Sequence, residues 1–317
     1  MSNDTKLNEI NIALASDLNN IHALATAVVS ALHSKNKDSR YIFYLLLSGE
    51  VDDNLLKKIT NCAKGFEECC QINFLNLKDK FNNIDLKSYI TYAAYFRIML
   101  PSLLPCVKKI IYIDTDTIIR CDLKELWDFN IDKNYIAAVP NYLGMIINRK
   151  TYIKAGFKSM EFYINSGVML MNLEEWRANN IEQRCLEKIG DKNLCKIDTG
   201  DQVIINLICY PNIAFLPCKW NMSCNKVRSY NGYIRMYDIF CSPGELSESY
   251  NNPAVFHWNG PNKPWIYYDV PLAHEWFRYY IKTPFCNNHL QRKSSIKGKT
   301  RNFIRKVLNT LRNGVIN

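Results

Sequence analysis

Over residues 10–77 the sequence reads strand, helix, strand, helix, strand, and this alternation constrains the fold more than any other feature. Residues 10–15 form an apolar strand pattern and residues 17–20 a polar turn, after which Ile21, Leu24, Ala25, Val28, Val29 and Leu32 recur at helical spacing. Residues 41–47 read as a second buried strand, 52–63 as a helix and 72–77 as a third strand. Such a βαβαβ opening implies parallel strands with helices across their faces. Ligands of sheets built this way sit beyond the C-terminal strand ends, so Ala15-Ser16-Asp17-Leu18-Asn19 is the expected nucleotide site. The absence of G-x-G-x-x-G from that loop argues against a dinucleotide cofactor.

Further along, residues 89–104 are expected to form a helix carrying Arg97, interrupted near Pro101. The run Ile110, Ile111, Tyr112, Ile113 reads as a strand buried on both faces. Residues 136–139 and 162–171 look like further strands, the second interrupted by Asn165-Ser166-Gly167. Residues 173–189 and 201–209 read as helices, the latter starting from acceptors at Thr199-Gly200-Asp201. Residues 254–258 make a last short strand. A chain of 317 residues with 48% apolar content can bury a substantial core, so one α/β domain over residues 1–281 with a smaller C-terminal part is expected. No leader pattern and no apolar run of spanning length are present, which points to the cytosol.

Twelve cysteines are scattered without a C-x-x-C pair, so most are expected to be small buried hydrophobes rather than a zinc or disulfide framework. The net charge of +10 resembles a nucleic-acid signal until it is located. Residues 288–317 hold eight basic side chains and no acid, which leaves about +2 on the rest, so nucleic acid is not an expected partner.

Asp114 and Asp116 stand at the end of the apolar strand in IIYIDTDTIIR. If strand geometry persists through them, residues two apart point the same way and the carboxylates converge beyond the strand end. Converging negative charges need a cation, a shared proton or water. Paired carboxylates suit Mg²⁺ or Mn²⁺, which fill their shells with phosphate oxygens, whereas a lone D-x-D is equally at home in a solvated turn. The same D-T-D-T is also how a haloacid-dehalogenase-type phosphatase begins, with Asp114 as nucleophile. That motif normally lies near the N-terminus, and it leaves HWNGPNKPW unexplained. The latter segment brings an imidazole, His257, together with Gly260 and Lys263, a combination suited to a metal and a phosphate.

The segments LASDLNN, TYAAYFRIMLPSLLP, IIYIDTDTIIRCDLKELWD, YINSGVMLMNLEEWR, TGDQVIIN and HWNGPNKPW, in this order, resemble glycosyltransferase family 8. That retaining class includes bacterial lipopolysaccharide galactosyl- and glucosyltransferases and glycogenin. The resemblance implies a GT-A fold, Rossmann-like with a mixed central sheet and a small helical C-terminal part, a UDP-galactose or UDP-glucose donor, and Mn²⁺ with Mg²⁺ as the alternative. By the same resemblance Asp114, Asp116 and His257 are the metal ligands, with Thr115 between the carboxylates at the donor. Ala15, Asp17 and Asn19 match positions that hold uridine, and Gly260 and Lys263 match those at the diphosphate. Arg97, Asn165, Asp201 and Gln202 match the pocket for the donor sugar. Many members have an aromatic residue after the loop Asn to stack on uracil; this chain has Asn20.

A diphosphate leaving group needs no proton, since a bound metal and Lys263 can take up its charge. Gln202 is a poor nucleophile, so front-face attack by the acceptor hydroxyl is expected, with Gln202 stabilising charge and Asp201 beside it as the alternative nucleophile. The expected acceptor is a bacterial surface glycolipid or oligosaccharide such as a lipopolysaccharide core. A sugar-nucleotide or glycan-binding module with a dead site is the non-enzyme alternative. In the tail, residues 282–317, Phe303, Ile304, Val307, Leu308, Leu311 and Val315 share one helical arc between basic borders. That pattern suits attachment to the anionic inner face of the cell membrane.

Overall fold

The computed structural model describes residues 7–78, 80, 92–141, 152–154, 156–158, 163–191, 194, 200–224, 241–286, 290 and 292–294. Ten strands are defined among them: β1 Asn8–Asp17, β2 Ser39–Ser48, β3 Cys70–Asn76, β4 Lys109–Ile113, β5 Thr117–Ile119, β6 Ile136–Pro140, β7 Ile164–Asn172, β8 Ile213–Phe215, β9 Met222–Ser223 and β10 Val255–His257. Seven make a central sheet in the order β3-β2-β1-β4-β7-β6-β8, and three make a small sheet in the order β5-β10-β9.

The βαβαβ opening is present as expected, with β3, β2 and β1 parallel and the helices Ile21–Ser34 and Asp53–Thr60 in the crossovers. The chain then returns to the other side of β1, where β4 also pairs parallel with it. This reversal of direction opens a crevice at the C-terminal ends of β1 and β4. Beyond β4 the sheet becomes mixed, because β7 is antiparallel to both β4 and β6. Successive side chains of a strand point to opposite faces, and each face here has its own core. Ile10, Ile12 and Leu14 of β1 and Ile111 and Ile113 of β4 enter one; Ala13, Ala15, Ile110 and Tyr112 enter the other. The expectation of a strand buried on both faces therefore holds for β4, all of whose residues from Ile110 to Ile113 are at most 1% exposed.

Four local expectations are corrected. The segment around Arg97 is a 3₁₀ stretch, Tyr92–Met99, followed by the helix Leu100–Leu103. Pro101 lies in the first turn of that helix, where its missing N–H costs nothing, so it marks a start and not an interruption. Asn165-Ser166-Gly167 does not break β7, which runs continuously from Ile164. The triplet extends past the end of β4, and Gly167 O takes the Asp114 N–H at 2.7 Å. The single helix expected over residues 173–189 is two, Leu173–Ala178 and Ile181–Leu186, because Asn180 adopts a left-handed conformation (φ 52°) that ends the first. Packing on the body also continues past residue 281. Phe285 is buried, the Arg292 guanidinium lies 4.2 Å from the Phe277 ring centre, and the Lys293 N–H bonds Ile266 O at 2.9 Å.

Six of the eleven described cysteines are buried. No helix among the described residues is long and apolar enough to cross a membrane. The apolar arc of the tail and Thr199 lie outside the described residues.

Candidate active site

An open cleft of about 760 Å³ occupies the crevice between β1 and β4. Its walls include Ala15, Asp17, Arg97, Asp114, Thr115, Asp116, Asn165, Asp201, Gln202, His257, Gly260 and Lys263. Of the residues named from the sequence, only Asn19 is missing from these walls. Asp17 ends β1 and its Oδ1 accepts from the Asn20 backbone N–H and from Asn20 Nδ2, both at 3.0 Å. In the 3₁₀ turn Leu18–Asn20 residues three apart share a side, so Asn20 follows Asp17 into the cleft and Asn19 stands exposed.

Asp114 and Asp116 converge, but not by continuation of a strand. β4 ends at Ile113, residues 114–116 turn, and Thr117 Oγ1 closes the turn by donating to Asp114 O at 2.7 Å. β5 then pairs antiparallel with β10 so that Thr117 lies opposite His257. The Trp258 N–H donates to Asp116 O at 3.0 Å and locks the two segments together. His257 Nε2 is thereby placed 3.1 Å from Asp116 Oδ1 and 3.8 Å from Asp114 Oδ2. Donor atoms of all three side chains lie within 4.8 Å of one another.

These residues fit a hard or borderline divalent cation. Adjacent ligands of an octahedral ion, each about 2.1 Å from it, are separated by about 3 Å, comparable with the spacing here. Gly167 keeps the space clear: a Cβ there would lie 2.6 Å from Asp114 Oδ2 and 2.4 Å from His257 Cε1. Lys263 pairs with Asp116 Oδ2 and donates to Trp258 O at 2.9 Å. Burial alone would raise the Asp116 carboxyl, but the Lys263 ammonium outweighs it and holds the group well below the usual carboxylate range.

Behind the carboxylates stands Arg97, 4% exposed. Its Nε meets Ala94 O at 2.8 Å and Asp201 Oδ2 at 3.1 Å, NH1 donates to Ser166 O at 2.7 Å, and NH2 donates to Asp114 Oδ1 at 2.8 Å. The guanidinium also stacks 4.2 Å from the centre of the Tyr112 ring, whose hydroxyl donates to Asp114 Oδ1 at 3.1 Å. Most of its donors are thus committed to protein acceptors, and it balances two acids rather than reaching into the cleft. Gln202 is fixed from both ends, Oε1 accepting from the Ser166 N–H at 3.2 Å and Nε2 donating to Tyr163 Oη at 3.2 Å.

Burial pushes the Asp201 carboxyl up to about 6, against the opposing pull of Arg97. A carboxylic acid raised above its ordinary value of about 4 stabilises the fold below that value, and the contribution is lost as pH rises through about 6. Asp201→Asn should therefore improve in stability relative to wild type by about 2 kcal/mol between pH 4 and pH 7, read from urea unfolding at the two pH values. A difference that does not change with pH would show that Arg97 keeps Asp201 ionised throughout.

Several contributors were not assigned a role from the sequence, although all but Ile266 lie inside the quoted segments. Ser166, Tyr112 and Tyr163 orient other side chains, while Asn259, Trp265 and Ile266 complete the walls.

The model for the family described as "Glycosyl transferase family 8" matches residues 11–269. The chain belongs to glycosyl transferase family 8. General stress protein A of Bacillus subtilis is 27% identical over 277 residues, covering 85% of this chain and 92% of that protein. The lipopolysaccharide glucosyltransferase WaaO of Escherichia coli is 23% identical over 291 residues, covering 89% and 80%. The crystal structure of the galactosyltransferase LgtC in complex with donor and acceptor sugar analogs superposes with a TM-score of 0.72 at 22% identity, over 86% of this chain and 96% of that one. The fold is accordingly GT-A, and this family 8 member is a glycosyltransferase by descent, related to lipopolysaccharide glucosyl- and galactosyltransferases.

Proposed function

We propose that this family 8 glycosyltransferase moves galactose or glucose from a UDP-sugar to a bacterial surface glycolipid such as a lipopolysaccharide core, with retention of the α configuration and with Mn²⁺ or Mg²⁺. The observation that carries the reading is the convergence of Asp114, Asp116 and His257 with Lys263 at the crevice of the central sheet. Similarity to WaaO and to a lipopolysaccharide 1,3-galactosyltransferase of Salmonella typhimurium supports the acceptor class.

In this reading Asp114, Asp116 and His257 hold the metal, which supplies Lewis-acid charge to the diphosphate. The uridine lies against Ala15 and Asp17, with Asn20, Trp265 and Ile266 on the adjoining walls. Lys263 adds a cation at the leaving diphosphate, while Gly260, in a left-handed conformation with φ +84°, lets the loop backbone approach it. Asn165, Asp201 and Gln202 face the sugar. Gln202 Oε1 has one lone pair engaged by Ser166 and a second for the positive charge that grows on the anomeric carbon. Its fixed amide does not act as a covalent nucleophile, so the acceptor hydroxyl attacks the face the diphosphate leaves: the new C–O bond forms as the bond to the diphosphate breaks, and the hydroxyl proton passes to a β-phosphate oxygen of the departing UDP. A phosphohydrolase with Asp114 as nucleophile is disfavoured because Arg97 and Tyr112 engage its Oδ1 and His257 stands beside Oδ2.

The test is incubation with Mn²⁺ and a panel of UDP-hexoses without acceptor. Slow release of UDP from UDP-galactose or UDP-glucose, abolished by chelator and restored by Mn²⁺, is the expected result. Gln202→Ala should lose only about tenfold to a hundredfold of the rate, and NMR of the transfer product should show an α linkage. A β-linked product would remove the retaining assignment, and phosphate release from simple phosphomonoesters would favour the phosphohydrolase.

Membrane attachment through the basic tail belongs to the same proposal. Because Lys293 and Arg292 pack on the body, the informative truncation removes residues 295–317 only. The full chain should bind vesicles containing anionic lipid at low salt and release them at high salt, and the truncated chain should not bind while UDP release persists. Equal binding by both would place the lipid contact elsewhere.

A further inference from the structure

His257 is held from behind by a side chain that no sequence motif singled out. Its Nδ1 lies 2.8 Å from Asn221 Oδ1, and Asn221 Nδ2 donates to Asn165 Oδ1 at 2.8 Å. Asn165 Oδ1 also accepts the Gly167 backbone N–H at 2.9 Å. Asn221 and His257 are 3% and 2% exposed, so the relay is shielded from water along much of its length.

The polarity of this relay is fixed at one end by a group that has no choice. A backbone N–H can only donate, so the Asn165 atom facing Gly167 is the amide oxygen. An amide oxygen can only accept, so the Asn221 atom facing it is the NH₂ group, and Asn221 must turn its oxygen to His257. The imidazole Nδ1 therefore carries the hydrogen. Nε2, the atom facing Asp114 and Asp116, is left with its lone pair in the neutral ring. A lone pair 3.1 Å from a carboxylate oxygen repels it unless a positive centre, a proton on Nε2 or a bound cation, lies between them.

We propose that Asn221 is the positioning residue of the metal site: it holds His257 as the Nδ1–H tautomer, aims Nε2 at the cation, and ties that ligand through Asn165 to the donor-sugar side of the cleft. The inference rests on the metal reading above and adds to it the group that selects the tautomer. Ligating histidines commonly have their second nitrogen held in this way, and loss of the holder costs about tenfold to a hundredfold in affinity. Asn221 sits in the short turn Cys218–Asn221 directly before β9, which pairs parallel with β10, so the small sheet carries both partners of the bond.

The test uses the full chain labelled with ¹⁵N-histidine and Mn²⁺ alone as the probe. With five histidines in the chain, the His257 signals can be assigned by their loss in His257→Gln. In metal-free buffer, long-range ¹⁵N–¹H spectra should show wild-type His257 as Nδ1–H, and Asn221→Leu should shift it toward Nε2–H. Mn²⁺ affinity, followed by the electron paramagnetic resonance of the free ion, should fall about tenfold to a hundredfold in Asn221→Leu. Asn221→Asp keeps an acceptor toward Nδ1 but loses the donor to Asn165 Oδ1, so it should retain the Nδ1–H tautomer that Asn221→Leu loses, which separates ring orientation from the tie to Asn165. An Nε2–H tautomer in wild type, or an unchanged tautomer and Mn²⁺ affinity in a folded Asn221→Leu, would overturn the proposal. If wild type binds no Mn²⁺, the metal-positioning role fails together with the metal reading. If wild type binds Mn²⁺ and a folded Asn221→Leu behaves as wild type, the metal reading stands and this inference alone fails.

Discussion

Asp116→Ala should lower UDP release by about a thousandfold, a change of about 4 kcal/mol in transition-state stabilisation. Asp116 has three duties: its carboxylate faces His257 Nε2 and pairs with Lys263, and its backbone carbonyl receives the Trp258 N–H. Only the last survives substitution. Asp116→Asn preserves side-chain volume but cannot bring the negative charge, so it should lose nearly as much activity while melting within a few degrees of wild type. The pair of variants thus separates chemistry from packing. Mn²⁺-supported UDP release by either variant at more than a tenth of the wild-type rate would remove Asp116 from the metal site and with it the proposed mechanism.

Gly167→Ala should be nearly as damaging, although the substitution adds one methyl group and no charge. The new Cβ would meet His257 Cε1 at 2.4 Å, Asp114 Oδ2 at 2.6 Å and Asn165 Oδ1 at 3.0 Å. None of these is the loose end of a flexible chain. Asn221 holds the imidazole, while Arg97 and Tyr112 hold the carboxylate. Relief must come from parting β7 from the turn at residues 114–116, where the Asp114 N–H to Gly167 O bond is only 2.7 Å. Overpacking of this kind costs about 1–3 kcal/mol, which in a chain of this size lowers the melting temperature by several degrees. Mn²⁺ affinity should fall by more than tenfold. A Gly167→Ala protein with wild-type melting and Mn²⁺ affinity would show that the space between His257 and Asp114 is not needed.

Much of the scaffold was readable from the sequence because its first half obeys local rules. The apolar periodicity of residues 10–77 specifies strands and crossovers with little help from distant contacts, and the buried run at Ile110–Ile113 could only be a central strand. The site residues were readable as pieces in a fixed order, by resemblance to family 8, and the structure brings all but Asn19 to one cleft. Asn19 and Asn20 differ only in their phase within a 3₁₀ turn, which composition does not set. The duty of Arg97 was equally hidden, because nothing near it in the chain reveals that Asp114, Asp201 and Ser166 will surround it. Pro101 and Asn180 show the limits of reading breakers locally: one starts a helix where an interruption was expected, and the other divides a helix where none was.

The small sheet has a consequence for how the molecule becomes competent during synthesis. Asp116 and Lys263 are 147 residues apart in sequence, and the strand that carries His257 pairs with β5 from comparable range. Loops of that length close slowly and only after intervening segments have condensed. A chain emerging from the ribosome therefore displays its two carboxylates well before it owns the imidazole and the ammonium that complete them. The proposed metal site is a late product of folding, and a cation added to refolding protein should hold the finished state together without hastening its arrival. In a refolding experiment the folding rate should be insensitive to Mn²⁺, while the unfolding rate slows.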